Sequence, residues 1–191
     1  MTAASLLRSA RRSHGLSQRA LADRARVAQP RIADIEAGQH DTTVRRLEHL
    51  LATLGQRIAV LPTLSRPACE AALAIATELA SNSDRHAWRE VIQLSDDLAG
   101  ASPAVRVALA VTEPAPTGDH RYDALVAAIV DHWLTTDRLP LPEWVRTPQR
   151  NLTEPWHVEP LASLRSAARK ATPKAIARHG IYLAASELES V

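Results

Sequence analysis

Apolar residues recur at helical spacing through most of the chain, and turn residues cut that pattern into short pieces. Residues 5–12 read as a helix ending at His14-Gly15. Ser17 is a good N-cap, and residues 18–25 follow as a second helix with Leu21 and Ala22 inward. After a tight connection at Val27, Pro30 suits the first turn of a third helix, where its missing N–H costs nothing. Ile32 and Ile35 give that helix an apolar face, and Gly38 stops it. Asp41, Thr42 or Thr43 caps a fourth helix that carries Val44, Leu47, Leu50, Leu51 and Leu54 and ends at Gly55. Residues 57–61 form a short extended candidate, closed by Pro62.

Residues 62–67 mark the boundary between two domains, 1–62 and 63–191. Beyond it the pattern predicts helices at about 67–81, 84–99, 103–111 and 119–136. In the last, Leu125, Ile129, Val130, Trp133 and Leu134 share a face. Residues 139–160 then hold five prolines with Trp144 and Trp156, which forbids a long helix. A helix at about 160–171, a short one at 173–179, an extended stretch at 180–183 and a last turn from Ser186 complete an all-α reading.

Charge changes the picture. Residues 1–62 carry ten arginines against five acids, whereas residues 63–191 carry 13 basic and 16 acidic residues. A basic first domain fits a polyanion, and the mildly acidic remainder does not. A single cysteine, Cys69, excludes a disulfide framework, and no Cys/His spacing predicts a metal site. No apolar run reaches the ~18 residues of a membrane span. The opening MTAASLLRSARRSHG lacks the apolar stretch and cleavage site of a signal peptide, so the expected compartment is the cytoplasm.

The spacing of Leu16-Ser17-Gln18, Leu21-Ala22, Val27, Ile32, Ile35, Glu36 and Gly38 resembles the helix-turn-helix of the Cro/C1-type (XRE) DNA-binding family over about residues 4–60. The resemblance implies a five-helix-like, lambda-repressor-type domain that binds a near-palindromic double-stranded operator as a homodimer. In that arrangement the third helix enters the major groove, where each base pair presents a distinct donor and acceptor pattern. Gln29, Pro30 and Arg31 open it, with Asp34 one turn on. Gln pairs with adenine, Arg with guanine, and Asp accepts from cytosine. Asp34 has a second reading, as a partner of Arg31 or a repeller of wrong sequences. Ser17 and Gln18 would hold one phosphate, and Thr42, Thr43 and Arg45 or Arg46 a second. Glu36 is read as structural. Two departures stand out: Ala28 replaces a capping Ser or Thr, and Pro30 removes a donor at the groove face. Leu54, Ile58, Val60 and Leu61 either join two copies or roof the helical core.

Residues 63–191 offer no familiar catalytic spacing: no nucleophile elbow and no glycine-rich phosphate loop. Asp119, His120, Asp123, Asp131 and His132 gather on one predicted helix and read as a solvated face. No enzyme activity and no cofactor are expected. Trp88 and Trp133 are expected in the core. Trp144 and Trp156 anchor the proline-rich stretch to its own domain or to a partner. The runs Leu139-Pro140-Leu141-Pro142-Glu143-Trp144 and Pro155-Trp156, followed by Ala177-Arg178-His179-Gly180-Ile181-Tyr182-Leu183, resemble the C-terminal region of actinobacterial antitoxins paired with nucleotidyltransferase-like toxins. That resemblance implies toxin capture, with Trp144, Trp156 and Tyr182 as partner contacts, and repression of the shared operon. The alternative is a stand-alone XRE-family transcription factor whose helical C-terminal domain binds a ligand or dimerises.

Overall fold

Thr2 starts the first helix, α1 (Ala3–Ser13), by a reciprocal cap: its Oγ1 accepts from the Ser5 backbone N–H while the Ser5 hydroxyl accepts from the Thr2 N–H. The computed structural model describes residues 2–188, and the chain divides between Pro62 and Thr63 into two units. In the first unit, Ser17 caps α2 (Gln18–Ala25), accepting from the Ala20 N–H at 3.1 Å. Arg26 ends that helix in the left-handed region, at φ 55°, where glycine is the usual occupant. Helix α3 (Gln29–Ala37) starts from Ala28 without a side-chain cap, with Pro30 in its first turn, and stops on Gly38. Thr43 caps α4 (Val44–Ala52) through the Arg46 N–H. Leu7, Leu21, Ile32, Ile35 and Leu50 are sealed between these helices.

The unit thus holds four α-helices among the described residues, not the five-helix-like set the resemblance implied. After Gly55 the chain runs without regular structure to Pro62, because residues 57–61 meet no second strand that would give extended backbone a ladder. Leu54 roofs the core, whereas Ile58, Val60 and Leu61 stay exposed.

The second unit contains α5 (Ala68–Ala80), α6 (Asp84–Ala99), α7 (Pro103–Ala110) and α8 (His120–Thr136), all close to their expected spans. Two 3-10 turns follow, at Glu143–Arg146 and Pro148–Arg150, then β1 (Trp156–His157), α9 (Arg165–Ala171), α10 (Lys174–Ala177), β2 (Ile181–Tyr182) and a last 3-10 turn at Ala185–Leu188. The two strands pair in parallel, Trp156 opposite Ile181 and His157 opposite Tyr182. They are two residues long, so the chain remains in the all-α class.

Helix α8 is the axis of this unit. Every residue from Ala124 to Asp131 is buried, not only the single face the periodicity marked. The alanines among them let α5, α6, α7 and α10 pack around α8 on several sides. Buried Arg106 ties this packing together, donating to the Ala99 and Ala101 carbonyls and to Asp137.

Candidate nucleic-acid interface

The geometry of the first unit is organised by Glu36, which is 2 % exposed. Its two carboxylate oxygens accept from Arg11 Nε and Nη2 at 2.7 and 2.8 Å, a forked pair. Oε2 also accepts from Gln18 Nε2 at 3.1 Å, and the Arg8 guanidinium donates to the Glu36 carbonyl. Burial alone would push the carboxyl up. The Arg11 and Gln18 hydrogen bonds, with the nearby charges of Arg11 and Arg8, outweigh that and hold it below the usual carboxylate range. The Arg11 guanidinium is held above its ordinary value by the same hydrogen bond. Glu36 is structural, as read from the sequence. Arg8 and Arg11, its partners from α1, carry no sequence signal for this contact, because they lie 28 and 25 positions away.

The chain of bonds reaches the surface. Gln18 Oε1 accepts from Gln29 Nε2 at 3.2 Å, so the first side chain of α3 is held by the first of α2. Gln29, Pro30 and Arg31 are all exposed; the Arg31 backbone N–H donates to the Ala28 carbonyl, and its guanidinium has no hydrogen bond or ion pair among the described residues. Asp34 is half-buried and lies 4.0 Å from His40 Nδ1, not against Arg31. Since the Ser17 hydroxyl takes Ala20, the Gln18 and Arg19 backbone N–H groups at the start of α2 have no intrahelical acceptor. The Gln18 amide, expected on a phosphate, is instead engaged with Glu36 and Gln29.

Thr43 is exposed and occupied as the α4 cap, and the Thr42 hydroxyl is buried without a hydrogen-bond partner. Arg45 and Arg46 are both exposed. Arg45 borders an open groove of about 340 Å³ shared with Glu48, His49, Gln56, Arg57 and Ile58.

In the second unit Trp144 is buried. Its Nε1–H donates to the Ala110 carbonyl at 3.0 Å, and Arg150 lies over its ring. This is the internal anchor, so Trp144 presents no partner surface. Trp156 is half-buried, 5.9 Å from the Tyr122 ring and covered by Arg121. Tyr182, also half-buried, stacks on His157 and lies beneath Arg169.

The acidic residues of α8 are not a solvated face. Asp119 caps the helix and pairs with Arg121, whose hydrogen bond holds its carboxyl low against a smaller opposing effect of burial. Asp123 accepts from the Thr117 N–H at 2.7 Å. Asp131 is buried, taking Arg178 at 2.8 Å and facing His179 Nε2 at 3.3 Å, while His179 Nδ1–H donates to the Arg150 carbonyl. His120 contacts the Gln149 carbonyl. His132 lies against Trp133 with the two rings tilted, centroids 5.0 Å apart, and burial pushes its imidazole down. Burial pushes the Cys69 thiol up to about 11, which keeps it protonated and a poor nucleophile. Among the described residues no three His, Cys, Asp or Glu side chains gather as metal ligands, and no helix is long and apolar enough to cross a membrane.

A capped helix, a tight turn and a second helix whose polar start stands in solvent define a helix-turn-helix. Residues 7–61 match the helix-turn-helix family model, and the first unit is a helix-turn-helix domain of the Cro/C1 (XRE) type, a DNA-binding module of transcription regulators. No curated protein and no solved structure matches the chain.

Proposed function

We propose that the chain is a sequence-specific transcriptional repressor that reads a palindromic operator as a homodimer in the cytoplasm. The observation that carries this is the exposed Gln29-Pro30-Arg31 start of α3, with Gln29 already bonded to Gln18 and Gln18 to buried Glu36. Helix α3 enters the major groove, Arg31 takes guanine, Gln29 adenine, and Asp34 accepts from cytosine. The start of α2 and the Thr43–Arg45 end of α4 hold phosphates. Exposed Ile58, Val60 and Leu61 supply the apolar contact between copies.

Selection of a site from random duplexes, followed by anisotropy titration, tests this. Arg31→Ala should cost ~1–3 kcal/mol on the selected duplex and relax its sequence preference. Equal weakening on selected and random duplexes would reduce Arg31 to a phosphate contact, and failure to enrich any sequence would sink the repressor. Arg45→Ala should weaken all duplexes alike and flatten the salt slope by about one unit.

For the second unit, the reading is antitoxin: it captures a nucleotidyltransferase-like toxin, neutralises it and couples that capture to autoregulation. With Trp144 inside, Trp156 and Tyr182 are the partner contacts that remain. Full-length tagged protein drawn from its native host should retain such a protein, and Trp156→Ala should lose it. Retention of none favours the stand-alone regulator.

A further inference from the structure

Residues 160–179 contain Arg165, Arg169, Lys170, Lys174 and Arg178 and no acidic residue. The remainder of residues 63–191 holds eight basic and sixteen acidic residues, so positive charge in the second unit is concentrated on α9 and α10. All five cations are exposed. Three are placed by their own unit: Arg165 donates to the Glu159 carbonyl at 3.2 Å, Arg169 lies 4.6 Å from the Tyr182 ring centroid, and Arg178 holds Asp131. Lys170 and Lys174, the only two lysines of the chain, have no ion pair among the described residues. Within α9, Arg165 and Arg169 are four positions apart, a spacing of about 6 Å along a helix that puts the pair on one side.

We propose that the α9–α10 segment is a second DNA contact, independent of sequence, that grips duplex phosphates. A run of cations without a single acid is the electrostatic footprint of a polyanion. Lysine, a compact and strongly hydrated charge, suits phosphate and is depleted from protein–protein interface cores, where aromatics are enriched. This surface shows two lysines and no exposed aromatic, which favours phosphate over an acidic protein. The proposal rests on the DNA reading of the first unit for its place on the duplex: once α3 is docked, the same chain presents α9 and α10 at high effective concentration.

The test uses the full-length protein and a 30-bp duplex of random sequence, with affinity followed against salt. The double substitution K170A/K174A should lower the log–log slope by nearly 2, at ~0.9 per phosphate released, and K170R/K174R should keep it. In an Arg31→Ala/Arg45→Ala background the lysine-dependent part of the slope should persist. A slope unchanged by K170A/K174A overturns the second contact and leaves the helix-turn-helix reading intact. A slope that responds to the lysines but not to Arg45 removes the α4 phosphate contact and leaves the α9–α10 contact standing.

Discussion

Each unit buries one carboxylate on a helix and meets it with an arginine from a distant stretch: Glu36 on α3 takes Arg11 of α1, and Asp131 on α8 takes Arg178 after α10. The two differ in what the leftover acceptor does. The second oxygen of Glu36 also engages Gln18 and, through it, Gln29, so a buried charge is wired to an exposed face. The second oxygen of Asp131 faces His179, whose other nitrogen ends on the Arg150 backbone. That network staples the proline-rich stretch to α8, with Arg178 itself left in solvent. One device therefore sets a surface in the first unit and fastens a loop in the second.

The largest effects should come from cutting the two carboxylates. Glu36→Ala and Asp131→Ala should each cost about 3 kcal/mol, because each leaves an arginine or histidine network without its counter-charge. All four tryptophans lie in the second unit, so fluorescence follows that unit, while circular dichroism follows both. Glu36→Ala should leave the fluorescence midpoint in urea unmoved and add an early dichroism transition. Asp131→Ala should shift the fluorescence midpoint. Both probes moving together in both variants would break the contrast.

Gly180→Ala comes next, at roughly 2 kcal/mol on the fluorescence midpoint. Gly180 has φ 77°, and a Cβ there would lie 2.9 Å from the Leu152 carbonyl oxygen. An unchanged midpoint would show that the strand pair contributes little.

Acid should sharpen the comparison further. A carboxyl lowered on folding, as Glu36 is, stabilises above its unfolded pKa of about 4.3 and loses that contribution as pH falls through the lower folded value. The first unit should therefore weaken below about pH 4, and Glu36→Gln should flatten the dependence. The smallest effect is a gain: Arg26→Gly should stabilise the first unit by about 0.5 kcal/mol, read by dichroism, since glycine relieves the left-handed φ while loosening the unfolded chain.

Much of this was legible in the sequence wherever local chemistry decides. Ser17, Thr43, Gly38 and Pro30 mark helix ends through bonds within a few residues, and the spans they delimit were found. The exposed start of α3 followed from the same signals. What escaped depends on distance along the chain. Asp131 looked solvated because its partners Arg178 and His179 are 47 and 48 positions away. The all-round burial of α8 is set by neighbours that periodicity does not encode. The fate of Trp144 turned on a carbonyl 34 positions upstream, and residues 57–61 looked like a strand because propensity says nothing of whether a partner exists.

The bond between Gln18 and Gln29 has a consequence for how tightly a ligand can be held. A free glutamine gives up rotamer freedom when it docks, a cost of up to ~2 kcal/mol on burial; one already restrained by its neighbour has surrendered much of that on folding. Its amide still offers a carbonyl oxygen and one N–H outward. Trimming Gln18 would thus slacken Gln29 without altering a single atom of it, and complexes should dissociate faster although every contacting group survives.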